Sequence, residues 1–108
     1  MVEKEKSKEM NEKVLNLLHM ARKAGSVQMG FGACQRSCFQ GKARLIIVAK
    51  DLSEKQKMNL KKMADAYNVK FFEFGTKQFL GNSFNLRDVG ILCVEDKNFT
   101  NGIVKQLL

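Results

Sequence analysis

Met29-Gly30-Phe31-Gly32-Ala33-Cys34-Gln35-Arg36-Ser37-Cys38 leads through Phe39-Gln40-Gly41-Lys42-Ala43-Arg44 into the apolar run Leu45-Ile46-Ile47-Val48-Ala49, and this stretch decides how the chain is read. The run Leu45 to Ala49 is short, rich in branched residues and bounded by charge, the pattern of a strand covered on both faces. Such a strand requires helices on either side of its sheet. Upstream, Gly30 and Gly32 open a helix expected over about residues 32–40 and closed by Gly41. No Ser, Thr, Asp or Asn stands at its start, so its first backbone N–H groups lack an obvious internal acceptor. Free N–H groups at a helix start attract anions, and glycine lets a ligand approach the backbone, which points to phosphate. Arg36, about one turn further on, adds a planar cationic fork to the same side.

Outward from this stretch the pattern alternates. Met1 to Met10 is a charged lead-in, after which Val14, Leu17, Leu18, Ala21 and Ala24 recur at helical spacing, with Arg22 and Lys23 in the last turn and Gly25 as the stop. His19 falls off the apolar stripe of that helix, which suits a surface or half-buried structural role. Ser26 to Gln28 has room only for a short strand. Ala33, Cys34, Cys38 and Phe39 are the packing residues expected of the second helix. Downstream, Ser53 and Gln56 form a capping box, and Met58, Leu60, Met63, Ala64 and Tyr67 supply the stripe of a third helix. Val69 to Phe74 reads as a strand, Thr76 as the cap of a short helix through Leu80, and Val89 to Val94 as a strand. A last helix carries Phe99, Ile103, Val104, Leu107 and Leu108, with Asp96 or Asn98 as its cap. The order α-β-α-β-α-β-α-β-α gives an α/β fold with a sheet between helix layers.

Composition sets the class of partner. A chain of 108 residues, 44% hydrophobic and 28% charged, is expected to form one globular domain over residues 11–108. Its formal charge of +8 points to an anionic partner, nucleic acid before an anionic membrane surface. No acid occurs between Glu12 and Asp51, a span holding Lys13, Arg22, Lys23, Arg36, Lys42, Arg44 and Lys50, and none between Phe74 and Arg87. Asp51 to Tyr67 mixes both signs, as a solvated helix face does. No apolar run approaches the roughly 20 residues that span a bilayer, and the mixed-charge start has no apolar signal core. Cys34, Cys38 and Cys93 are odd in number and form no CxxC pair, which fits small buried hydrophobes in a cytoplasmic protein. With His19 the sole histidine, no metal or cofactor is expected. In Gly81-Asn82-Ser83-Phe84-Asn85-Leu86 two readings stay open. Phe84 and Leu86, near Lys77 and Arg87, form a platform for a base, or they tuck into the core.

Together, the Gly30-led helix, the Gly41 to Asp51 junction, Phe79-Leu80-Gly81 and Glu95-Asp96-Lys97-Asn98-Phe99 resemble the ribosomal L7Ae/L30e family, in particular its small bacterial YlxQ-type members. The resemblance runs from about Asn11 to Leu108. It implies a three-layer α-β-α sandwich with a mixed sheet of about four strands. It also implies kink-turn or similarly bent RNA as ligand, bound at the start of the second helix with help from the Gly81 to Leu86 turn. The family's motif runs Gly, then Asn and Glu, then Lys. Here Gly30 keeps the glycine, Gly32 stands for Asn, Ala33 for Glu, and Arg36 for Lys. Phosphate and backbone contacts are thereby kept, while the two side chains that read sheared G·A pairs in archaeal relatives are replaced. Lys50 and Asp51 stand where the family has an acidic pair at the RNA, and Asn85 stands where it has a further glycine, whose left-handed backbone Asn tolerates.

The site implied comprises Gly30, Phe31, Gly32, Ala33, Arg36, Lys50, Asp51, Gly81, Asn82, Ser83, Phe84 and Leu86, without catalysis. Helix-start amides and Arg36 would hold phosphates, and Phe31, Phe84 and Leu86 would meet bases. The expected partners are structured RNA, ribosomal or from a messenger leader, and the ribosome, with no membrane and a monomeric chain. Two alternatives stand beside this: a nucleotide-binding domain using Gly30 to Gly32, disfavoured by the absence of GxGxxG and Walker patterns, and a ribosome-associated protein-interaction module.

Overall fold

A computed structural model describes the backbone of residues 2–108 and the side chains of residues 11–108. In chain order the elements are α1 (Val2–Lys23), β1 (Val27–Met29), α2 (Phe31–Phe39), β2 (Leu45–Val48), α3 (Glu54–Ala66), β3 (Lys70–Glu73), α4 (Lys77–Ser83), β4 (Ile91–Val94) and α5 (Lys97–Leu107). The strands form one mixed sheet in the order β1-β4-β2-β3. β4 runs antiparallel to β1 and β2, with Ile46 opposite Cys93, and β2 runs parallel to β3.

Every residue of β2 and β4 is buried, because alternate side chains enter different cores. Leu45, Ile47, Leu92 and Val94 join Val14 and Leu18 of α1, Leu80 of α4 and Ile103 of α5 on one face. Ile46, Val48, Ile91 and Cys93 meet Cys34 and Cys38 of α2 with Leu60 and Ala64 of α3 on the other. The expected three-layer sandwich is therefore present. β3 forms one margin, its Lys70 and Glu73 exposed, and Lys57 Nζ reaches Glu73 Oε1 at 3.0 Å. Charge on such an edge discourages pairing with another chain.

Local signals hold where backbone chemistry decides. Ser53 and Gln56 make the reciprocal capping box, and Asp96, not Asn98, caps α5 by accepting from Phe99 N at 2.8 Å. Gly25 and Gly41 take left-handed φ values of 77° and 71° after α1 and α2.

Three packing expectations are corrected. Phe39, one residue past buried Cys38, turns off the core-facing side of α2 and is 64% exposed, Ala24 is exposed past the end of α1, and Met58 and Tyr67 of the α3 stripe are exposed. α3 lies over β3, the edge strand, so a narrower stripe is covered than its periodicity marks. α4 also continues beyond Leu80 to Ser83, so Gly81, Asn82 and Ser83 are helical and not part of a turn.

Candidate nucleic-acid interface

Gly30 occupies the cap position of α2 with φ 91° and ψ 157°, and no side chain caps this helix start. Its N–H donates to Ile91 O at 3.0 Å and its carbonyl accepts from Cys34 N at 3.1 Å, which pins the first turn against the beginning of β4. The N–H groups of Phe31, Gly32 and Ala33 have no acceptor among the described residues. They point at open surface, since Phe31 and Gly32 are exposed and nothing lies within 4 Å of a Cβ placed on Gly30. Glycine serves here for its positive φ, not for close packing. Arg36 folds back toward the same turn, its Nη1 3.6 Å from the Cβ position of Gly32. An anion at this helix start would thus meet amide donors, the positive end of the helix dipole and a guanidinium together.

A cleft of about 310 Å³ opens beside the turn, between Phe31, Leu52, Gln56, Asn59, Gly90 and Ile91. Leu52 Cδ2 lies 3.1 Å from the Cβ position of Gly90, so the connection after β2 packs closely onto the start of β4 and a side chain there would make Leu52 shift by a few tenths of an ångström. The same connection is tied to α4. Lys50 N donates to Gly75 O at 2.8 Å, and Asp51 Oδ1 accepts from Lys77 N at 2.9 Å. Asp51 thus satisfies one free amide of α4 while Thr76 Oγ1 accepts from Phe79 N at 3.1 Å. Beyond Asp51 the surface continues as a depression lined by Lys77, Gln78, Asn82, Arg87 and Asp88.

The expected site residues therefore divide. Gly30, Phe31, Gly32, Ala33 and Arg36 form one patch, which Lys50 and Asp51 border through Leu52 and Gly90, and Asn82 edges the depression beyond. Ser83 and Phe84 turn the other way, onto α1. Phe84 is 5% exposed, with the His19 ring edge-on at 5.2 Å and the Arg22 guanidinium 5.2 Å over its face. His19 Nε2 donates to Ser83 O at 2.8 Å and Arg22 Nη1 to Phe84 O at 3.1 Å. The expectation that Phe84 offers a base platform is thereby corrected: the end of α4 is drawn against α1 and the ring is spent on packing. Gly81 is buried as well, because Arg87 O lies 1.5 Å from where its Cβ would be. Leu86 is 44% exposed, and Asn85 adopts the left-handed backbone expected of it, with φ 57°.

Sequence reasoning passed over Leu52, Gln56 and Gly90 as parts of this surface, and placed Lys77 and Arg87 only as neighbours of a loop. The acid-free span from Phe74 to Arg87 was the signal for the two cations; nothing local marks the others. Beneath α2 the cysteines are buried, and Cys34 Sγ donates to Gln28 O at 3.7 Å. A hydrogen bond with Cys93 and burial push the Cys34 thiol far up, so it stays protonated. Among the described residues no three of His, Cys, Asp and Glu converge to hold a metal ion, and no helix is long and apolar enough to cross a membrane.

This layered fold, with an uncapped glycine opening its second helix, belongs to a defined class. The chain is a member of the ribosomal protein L7Ae/L30e/S12e/Gadd45 family, whose model matches residues 12–103. Among solved structures it is similar to a protein of unknown function from Bacillus halodurans C, with TM-score 0.82 and 22% identity over 88% of this chain and 96% of that one. It is also similar to the Giardia lamblia 15.5kD RNA binding protein, with TM-score 0.73 and 19% identity over 92% of this chain and 85% of that one. At these identities the likeness is one of fold.

Proposed function

We propose that this chain is a non-catalytic RNA-binding protein that grips kink-turn or similarly bent RNA at the start of α2. The observation that carries the reading is the solvent-open, uncapped turn Gly30 to Ala33 with Arg36 folded over it. Family membership and the named RNA-binding neighbour support it. The bound element is a phosphate-rich bend, because Gly32 and Ala33 carry no side-chain group that could read a base edge, whereas amides and Arg36 engage phosphate irrespective of sequence. Shape would then select the RNA. Phe31 and the cleft with Leu52 and Gly90 would receive a base extruded at the bend, and Lys77, Arg87 and Leu86 would follow the flanking strand. The partner class is structured ribosomal or messenger-leader RNA, met in the cytoplasm at the ribosome by a monomer.

Fluorescence anisotropy against a stem interrupted by a kinking internal loop and against an uninterrupted duplex of equal composition tests this. The kinked stem should bind at least about tenfold more tightly, and Arg36→Glu should weaken it about tenfold. Equal binding of both RNAs, or indifference to Arg36→Glu, would overturn the proposal.

A further inference from the structure

The other end of α2 carries a second cationic surface, about 13 Å of helix away from Gly30 by the rise of its nine residues. There Phe39, 64% exposed, meets Tyr67, 40% exposed, edge to face with ring centroids 5.4 Å apart. Tyr67 also walls a groove of about 480 Å³ with Arg44, Lys70, Lys97 and Thr100. Arg44 precedes β2, Lys70 begins β3 and Lys97 begins α5, so three separate elements deliver cations to one end of the sheet.

None of these cations makes an ion pair among the described residues, and no acid lines the groove. The acids nearest along the chain are occupied: Asp65 faces Lys61 at 4.0 Å, Glu95 Oε2 accepts from Ser37 Oγ at 2.6 Å, and Asp96 caps α5. Thr100 is 3% exposed, and its Oγ1 has no hydrogen-bond partner among the described residues. A buried hydroxyl is costly to leave unpaired, and Thr100 stands in the wall of this groove. Three cations on an acid-free groove and an exposed aromatic pair beside it together match a phosphodiester strand with accessible base faces. A duplex hides those faces; a single strand presents them.

We infer that this end of the molecule binds a single-stranded RNA segment, phosphates on Arg44, Lys70 and Lys97 and a base against the Phe39–Tyr67 pair, while the start of α2 holds the bent stem. The inference rests on the RNA-binding reading above and extends it to two sites on one chain.

Anisotropy with the full chain and two labelled probes, a decauridylate and the kinked stem, separates the two. Phe39→Ala with Tyr67→Ala should weaken the decamer about tenfold and leave the stem within about twofold, and Arg36→Glu should do the reverse. Phe39 is mostly exposed and Tyr67 partly so, and they pack chiefly on each other, so the double variant should melt only slightly lower and remain folded. Should it fail to fold, Arg44→Glu must give the same loss and lower the salt slope by about one phosphate. A decamer that the wild type ignores, or that Arg36→Glu weakens equally, overturns the inference. So does an abasic decamer bound as tightly, or displacement by polyglutamate at equal charge. Decamer binding that survives while the stem goes unbound keeps this surface and sinks the bent-stem reading instead.

Discussion

Two glycines show how one residue type does opposite work. Gly30 holds φ 91° with open space where a Cβ would be, whereas helical Gly81 has Arg87 O 1.5 Å from that position. Alanine at Gly30 meets no crowding and should cost only the strain of a positive-φ, extended backbone that is otherwise reserved for glycine, about 1–3 kcal/mol. Alanine at Gly81 must push the Arg87 carbonyl aside and should cost at least about 3 kcal/mol. Urea unfolding of both variants checks the order, which would be reversed if crowding lay at Gly30. Asp51 is a further case of a residue whose surroundings set its task. Its carboxylate is engaged by Lys77 N, so it reaches the interface as a brace between the β2–α3 connection and α4. An acid beside Lys77 and Arg87 is tolerable when a helix start already claims its charge.

Among the elements, α4 carries the largest difference between pattern and fold. Its far end is anchored on α1 by two side-chain to carbonyl hydrogen bonds, from His19 and Arg22, and by the ring of Phe84 beneath them. Phe84→Ala should therefore lower stability by about 3 kcal/mol, as loss of a buried aromatic does, and leave the RNA affinity of the folded protein unchanged. Thermal melting beside an RNA titration below the transition separates these effects; an affinity loss with unchanged melting would return Phe84 to the interface. α2 behaves as its sequence indicates at one end and not at the other. Its start is set by backbone chemistry alone. Its finish leaves Phe39 outside the core because Phe39, one residue past buried Cys38, is turned off the face of α2 that meets the sheet.

At the scale of the whole molecule, a net charge of +8 is joined by two separate cationic features, Arg36 at the start of α2 and the Arg44, Lys70 and Lys97 groove near its end. Electrostatics of this kind sets affinity and its salt dependence more than sequence choice. If the α2 start and the Lys77 to Arg87 surface together neutralise about 4–6 phosphates, log K for the stem should fall with log salt at roughly 0.7–0.9 per phosphate. A titration between low and moderate salt reads this slope directly, and a flat line would deny the cations any part in binding.

The order of elements, the two-faced central strands, the capping box at Ser53 and the glycine opening of α2 are written locally, because they depend on backbone conformation and on periods of two or 3.6 residues. The family resemblance added the mixed sheet of about four strands and the place to look for RNA. What no local pattern could specify was which side chains the packing would consume. Phe84 and Leu86 look alike in sequence, yet α1 lies across one and leaves the other exposed. Phe39 and Tyr67 carry core-like signatures, yet they stand exposed and pack on each other outside the core. Burial depends on elements far apart in the chain meeting at one place, so the conversion of Asp51 to a brace, the gathering of Leu52 and Gly90 beside Phe31, and the convergence of Arg44, Lys70 and Lys97 were decided only by the tertiary fold.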